Sequence, residues 1–346
     1  MSVTARSFGA TSQGAPVTCF RMENRKGSWA EVLDYGATLR AVAVPDRDGA
    51  LRDVCLGFDR VADYEDHDAY LGALVGRCAN RIRGAAFQLN GETYRLAVNQ
   101  ESGCSLHGGR VGFDRRMWRG EIQGESVLLT LDSPDGEEGY PGTLRVRVRY
   151  MLTEDDALCL ELWAETDADT VVNLTSHAYW NLNGHGAGDV GDHLLGVNGD
   201  AVAELGADCC PTGTLLPVDG TPFDLRTPRP LKEGWDDAHP QIQAGGGYDH
   251  NWDIRGMGLR RAALLSSPES GITLEVSTTQ PGLQVYSANF LPLLTGKEGA
   301  IYGRRRGVAL EAQGFPNAVN LSQFPSSILR KGEEYRQEIR FSFSHS

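Results

Sequence analysis

Apolar and polar residues alternate at period two along much of this chain. Leu144-Arg145-Val146-Arg147-Val148-Arg149-Tyr150 alternates strictly, as does Ile339 to Ser344, and Leu158 to Leu162 and Ile272 to Val276 repeat the pattern. Such alternation buries one face of a strand and wets the other, which predicts antiparallel sheet. Between Phe87 and Leu96, Asn90-Gly91 separates two such runs, the signature of a tight hairpin. Helical signals are few: Val61 to Leu74, preceded by Asp59, predicts a short helix or two. No fixed-period repeat or low-complexity linker divides the chain. The Pro211 to Pro230 stretch is loop-rich, yet Leu215-Leu216 and Phe223 punctuate it. Many short strands over this length predict an all-β protein, a large antiparallel β-sandwich folded as a single domain over residues 1–346.

Composition sharpens this picture in three ways. The 346 residues include 42 glycines, as expected where many turns require positive φ. With 33 basic against 46 acidic side chains the net charge is −13, which excludes nucleic acid and anionic membrane as expected partners. The Arg304-Arg305-Arg306 run is the single basic cluster and reads as a solvated loop. Met1 to Arg6 lacks an apolar leader core, and no stretch approaches 18 apolar residues. The seven cysteines are odd in number and contain no CxxC pair, and neighbours Cys209 and Cys210 are poorly placed to bridge each other. The expectation is a cytoplasmic protein with reduced thiols.

Candidate chemistry lies in a few polar segments set among apolar runs. Asn173-Leu174-Thr175-Ser176-His177-Ala178-Tyr179-Trp180-Asn181-Leu182 places an imidazole on a buried-looking strand, and Leu310-Glu311-Ala312-Gln313 ends another apolar run on a carboxylate. An imidazole acid and a carboxylate base are the groups needed to move protons on a sugar. Arg77, Asn80 and Arg81 must face water, a carboxylate or a ligand, because an unpaired buried cation is too costly; a structural ion pair is the other reading. His107, followed by Gly108-Gly109, marks either a close approach of backbone to ligand or a simple turn. Asp249, after Gly245-Gly246-Gly247-Tyr248 and before His250-Asn251-Trp252, suits sugar hydroxyls or an Asx turn. Gln284 points inward or outward with equal weight, and Trp180 reads as core.

Two motifs are set aside. Gly186-Ala187-Gly188-Asp189-Val190-Gly191 matches the dinucleotide fingerprint, but no buried strand precedes it and no helix follows. The spacing of His185, Asp189 and His193 fits no helical or finger pattern of metal ligands, so no metal is expected.

Taken together, Gly76 to Ile82, Leu106 to Gly109, Asn173 to Leu182, Tyr248 to Asn251, Gln280 to Gln284 and Leu310 to Gln313 resemble, in order, the motifs of the aldose 1-epimerase (galactose mutarotase) family. The resemblance covers about residues 15 to 340. It implies a galactose mutarotase-like β-supersandwich with a sugar cleft on one sheet, no cofactor, and interconversion of the anomers of a free hexose such as galactose or glucose. It implies that Glu311 takes the proton of the C1 hydroxyl and that His177 protonates the ring oxygen. Asn80, Arg81, His107, Asp249 and Gln284 would hold the sugar, with Tyr179 as a lining residue. Ser176, Trp180 and Ala312 depart from residues common in the family. The expected partner is a monosaccharide, bound by a monomer or weak homodimer. A hexose-6-phosphate epimerase and a silent sugar binder are the alternatives. Anionic Glu311 and Asp249 are expected to raise the pKa of His177.

Overall fold

A computed structural model describes residues 2–346, and strands dominate it as the alternation requires. The largest sheet has nine strands, in the order Arg119–Gln123, Ser126–Ser133, Leu144–Leu152, Ala157–Thr166, Glu334–His345, Ile272–Thr278, Arg260–Ser266, Leu194–Val197 and Arg229–Pro230. A six-stranded sheet runs Tyr179–Trp180, Val308–Gln313, Gly282–Tyr286, Asp249–Ile254, Gly199–Leu205 and Pro211–Pro217. A five-stranded meander spans Ser2–Ala10 to Leu51–Asp53 in sequence order. Neighbouring strands in these sheets pair antiparallel. The architecture is the expected large antiparallel sandwich.

Alternation sorts the side chains as predicted. Leu144, Val146, Val148 and Tyr150 are buried, while Arg145 and Arg147 stand on the exposed face of the same strand. The inner face of the nine-stranded sheet meets Trp180, Trp252, Leu283, Val285, Leu310 and Ala312 of the six-stranded one in a single apolar cluster. Trp180 is fully buried with its ring 5.0 Å from Phe341 and 5.6 Å from Phe343, so it is core. The hairpin is also as read: Leu89 pairs with Glu92, and Asn90 and Gly91 both take positive φ, at 54° and 84°.

The short helix forms where expected, and the reading of the basic run needs correction. Within Val61 to Leu74 a single six-residue helix forms, Val61–Asp66, and the chain then turns at Tyr70 to Ala73. The Arg304–Arg306 run is not uniformly solvated: Arg304 is exposed, but Arg305 is buried. Its guanidinium lies 4.5 Å from the Trp235 ring centre and donates to Ser287 Oγ at 2.6 Å and Gly246 O at 3.0 Å. All seven cysteines are free, and the Cys104 and Cys210 sulfurs lie 2.9 Å apart. His185, Asp189 and His193 turn to separate partners, namely Tyr302, the Gly191 amide and the Leu182 amide. Among the described residues no helix is long and apolar enough to cross a membrane.

Candidate active site

The site is built first by strand register. Asn251, Gln284 and Glu311 stand side by side across three strands of the six-stranded sheet, and Asp249, Tyr286, Ala309 and Tyr179 form the next row. Because successive side chains alternate faces, Leu283, Val285, Leu310 and Ala312 enter the core while their neighbours form a polar outer face. His177 directly follows the short strand Thr175–Ser176, and its own amide donates to Ala73 O at 2.9 Å.

A cleft of about 520 Å³ opens over this face, a volume typical of small-molecule sites. Asn80, Arg81, His107, His177, Tyr179, Asp249 and Glu311 all line it. Gln284 does not reach the wall; it sits behind Asp249 and donates to its Oδ1 at 2.7 Å. The strand position of Asp249 replaces the Asx-turn reading. Arg77 belongs elsewhere, buried against carbonyl oxygens outside the cleft. Sequence reasoning also missed lining residues that no motif marks: Tyr70, Tyr286, Phe290 and Asp208.

Asn80 and His107 hold each other in place. The Asn80 amide donates to His107 Nδ1 at 3.1 Å, and the His107 amide donates to Asn80 O at 3.0 Å. Both take positive φ, at 59° and 52°. Gly108 follows because a Cβ there would come within 2.0 Å of Gly76 O. The accepted hydrogen bond at Nδ1 leaves the hydrogen of neutral His107 on Nε2.

His177 Nε2 stands 3.7 Å from Glu311 Oε1, with both side chains almost wholly buried. Glu311 Oε2, Gln284 Oε1, His177 Nδ1 and both amide atoms of Asn251 have no hydrogen-bond partner among the described residues. Buried polar groups are normally matched, and of these residues His177 and Glu311 line the cleft, where a polar ligand can reach them. Arg81 Nη1 lies 3.7 Å from Asp249 Oδ2 and partly balances its charge.

Burial sets the protonation of the pair. It pushes the His177 imidazole down to about 4. It pushes the Glu311 carboxyl well above the usual range, helped by Asp249 and opposed by Arg81. The expected upward shift of His177 is therefore reversed: withdrawing the cation from water outweighs the backbone hydrogen bond of its own residue, the one cause that raises it. Burial likewise raises Asp249, against the pull of Arg81 and the Gln284 hydrogen bond. His107 is driven well below its ordinary value, chiefly by burial, then by His177 and Arg81.

Ligating atoms of His107, His177 and Glu311 lie within 4.8 Å of one another, a donor set zinc could use. The tautomer of His107 opposes that use, since Asn80 occupies Nδ1 and the hydrogen rests on Nε2. A second cluster, Cys104, Asp208 and Cys210, has its carboxylate already engaged by Arg83 at 2.6 and 2.9 Å.

Comparison with known proteins follows the same lines. The sequence profile of the family described as aldose 1-epimerase matches residues 18–342. The chain is 41% identical to galactose mutarotase of Mus musculus over 347 aligned positions, covering 99% of each. It is 39% identical to aldose 1-epimerase of Haemophilus influenzae, covering 95% of this chain and 96% of that one. A solved aldose epimerase homologue from C. elegans superposes with a TM-score of 0.87 at 33% identity, over 94% of this chain and 98% of that one. Galactose 1-epimerase from Lactobacillus acidophilus also gives 0.87, at 29% identity, over 100% and 99% of the two chains.

Proposed function

This chain belongs to the aldose 1-epimerase family, and from that premise we propose the reaction and the groups that perform it. It is an isomerase, a mutarotase that interconverts the α and β anomers of free hexoses such as D-galactose and D-glucose. The observation that carries the site assignment is the meeting of an imidazole and a carboxylate, 3.7 Å apart, on the wall of a hexose-sized cleft.

Opening a cyclic hemiacetal requires a proton to leave the C1 hydroxyl and another to reach the ring oxygen. Glu311 takes the first and His177 gives the second; the C1–O bond to the ring oxygen breaks and leaves an aldehyde. Rotation about C1–C2 presents the other carbonyl face, and reclosure returns both protons. Protons are conserved throughout, so the chemistry needs no cofactor. Burial draws the mobile proton toward Glu311, because it favours two neutral groups over an ion pair. Carboxylic acid with imidazole, and carboxylate with imidazolium, hold the same number of protons. A sugar hydroxyl donating to Glu311 and a ring oxygen accepting from His177 favour the second form. Asn80, Arg81, His107, Asp249 and Tyr179 hold the sugar, and Gln284 acts through Asp249.

The charges at the cleft support a free sugar over a hexose 6-phosphate. Arg77 is spent on carbonyls, Arg83 on Asp208 at 2.6 Å, and Arg81 faces Asp249. Asp68, Glu101, Asp208 and Asp249 all line the cleft, where a phosphate would need unpaired guanidinium groups. A reducing, cytoplasmic setting is supported by the free thiols, and a single domain by one core cluster drawing on residues from Phe20 to Phe343.

Polarimetry on freshly dissolved α-D-galactose and α-D-glucose tests the activity. The protein is expected to accelerate decay to an unchanged final rotation, with glucose 6-phosphate turned over at least about tenfold more slowly. No acceleration with either sugar would overturn the reading, and a preference for the phosphate would move it to the epimerase alternative.

The protonation assignment has its own measurement. With sugar absent, the His177 ring is expected to stay neutral in NMR titration from pH 7 down to about 4. A group whose folded pKa is depressed takes up its proton later than in the unfolded chain, so the midpoint must fall below 6.5. A midpoint at or above that value would restore the ion pair as the resting state.

A further inference from the structure

His177 lacks the usual device for aiming a catalytic imidazole. Among the described residues no other residue's side chain or carbonyl fixes its Nδ1 from behind, and the ring's one backbone hydrogen bond is to its own residue. Rings surround it instead. Tyr70 stacks on it at 5.8 Å between centroids with planes 27° apart, and Tyr179 lies at 4.9 Å and 34°. His107 and Tyr286 meet it edge-on at 5.2 and 6.5 Å.

Of these, Tyr70 is held as a fixed part of the site. It begins a turn in which the Ala73 amide donates to Tyr70 O at 3.1 Å. That turn is bonded to the His177 backbone in both directions, Gly72 N to His177 O at 3.0 Å and His177 N to Ala73 O at 2.9 Å. Gly72, at φ 71°, packs where a Cβ would come within 1.9 Å of Leu39 O, which fixes the turn to a strand of the meander. Tyr70 itself takes φ 53°, a conformation costly for a bulky residue and retained where surroundings enforce it. Its ring also lies 4.6 Å from that of His107 and borders the cleft.

We propose that Tyr70 is a positioning residue for the anomerisation reaction: its ring, with that of Tyr179, fixes the plane of His177 toward Glu311 and shields it from water. The inference rests on the mutarotase reading above. Stacking takes the place of an orienting side chain behind the ring, because offset aromatic contact restricts ring rotation without supplying charge. The groups facing His177 from the packed elements are Tyr70, His107, Tyr179, Tyr286 and Glu311, with Asp249 and Arg81 beyond them. Burial raises the phenol pKa of Tyr70, so it stays neutral and the shielding acts through the ring.

The test compares Tyr70→Phe, Tyr70→Leu and Tyr70→Ala by polarimetry across pH, beside the wild type. Tyr70→Leu and Tyr70→Ala are expected to lose about 10- to 100-fold in kcat with KM changed less than about threefold. In Tyr70→Ala the acid limb of the rate profile moves upward, as water reaches His177. Tyr70→Phe keeps the ring and recovers kcat to within about threefold of wild type. Ring-proton NMR of His177 reads the same contact without activity, with its ring-current shift kept in Tyr70→Phe and lost in Tyr70→Leu. Should Tyr70→Ala fail to fold, Tyr70→Leu and the NMR shift decide. An unmoved acid limb in folded Tyr70→Ala, a loss confined to KM, or a Tyr70→Phe variant as poor as Tyr70→Leu would overturn the proposal. An inactive wild type would instead overturn the mutarotase reading, leaving the NMR comparison to judge Tyr70.

Discussion

Replacing Glu311 with Gln, or His177 with Asn, is expected to lower kcat for galactose anomerisation by at least about 10²-fold each. Gln keeps the shape of Glu311, Asn keeps a polar group near the position of the His177 Nδ1, and each change removes the capacity to exchange a proton. The two groups form one relay, 3.7 Å apart, so the double variant should be little slower than the worse single one. Additive losses would mean that the groups act on separate steps. Near-normal rates in both single variants would place the acid and base elsewhere in the cleft, with Asp249 the next carboxyl to test.

The same Glu311→Gln change should stabilise the fold. Burial favours the protonated carboxyl in the native state, whereas the unfolded chain releases that proton above its ordinary value of 4.5. A raised folded pKa means the stability is complete at low pH and is lost as pH rises toward the folded value. Gln carries no such penalty, so its advantage at pH 7 is expected to be about 1–3 °C in Tm, vanishing near pH 4. Loss of catalysis with a gain in stability would identify Glu311 as a residue kept for its chemistry.

Much of this site was legible because strand registers preserve local pattern. The strict alternation at Leu144–Leu152 and the Asn90-Gly91 hairpin were correct since each depends on a few adjacent residues. The motifs around Asn80, His107, His177, Asp249 and Glu311 marked residues that line one cleft. Other features depend on distant segments meeting. Asn251 joins the polar row only because its strand pairs with Gly282–Tyr286, and Tyr70 borders the cleft only through the turn docked on His177. The sign of the His177 shift was missed for a related reason. Proximity to carboxylates can be guessed from motifs, but the completeness of burial is a property of the assembled sheets.

Arg77 and Arg81 stand four residues apart in one motif, yet they have opposite fates, and the largest stability loss is expected at the first. Arg81 faces the cleft and Asp249, while the Arg77 guanidinium is buried with no carboxylate within ion-pair distance among the described residues. It donates instead to Ser133 Oγ at 2.7 Å, Pro134 O, Pro141 O and Gly142 O at 2.9 Å, and Ser133 O at 3.1 Å. Burial lowers its pKa to about 10, which still leaves it charged at neutral pH. The planar fork satisfies carbonyls from two segments at once, and no other side chain can reproduce that geometry. Arg77→Met should therefore cost about 3–5 kcal/mol, because the carbonyls stay buried without donors. At about 2.1 cal/mol/K of unfolding entropy per residue, that loss lowers Tm by about 4–7 °C. Arg77→Lys should recover only part of it, since one ammonium cannot span the same acceptors. The Arg77 carbonyl also accepts from Asn173 N at 3.0 Å, and Asn173 Oδ1 accepts from Gly314 N at 2.8 Å, linking this cage to the strands of His177 and Glu311. Calorimetry with polarimetry at 25 °C separates the two roles: Tm should fall markedly while kcat stays within about tenfold. A Tm shift under about 1 °C would show that water replaces the guanidinium at no cost.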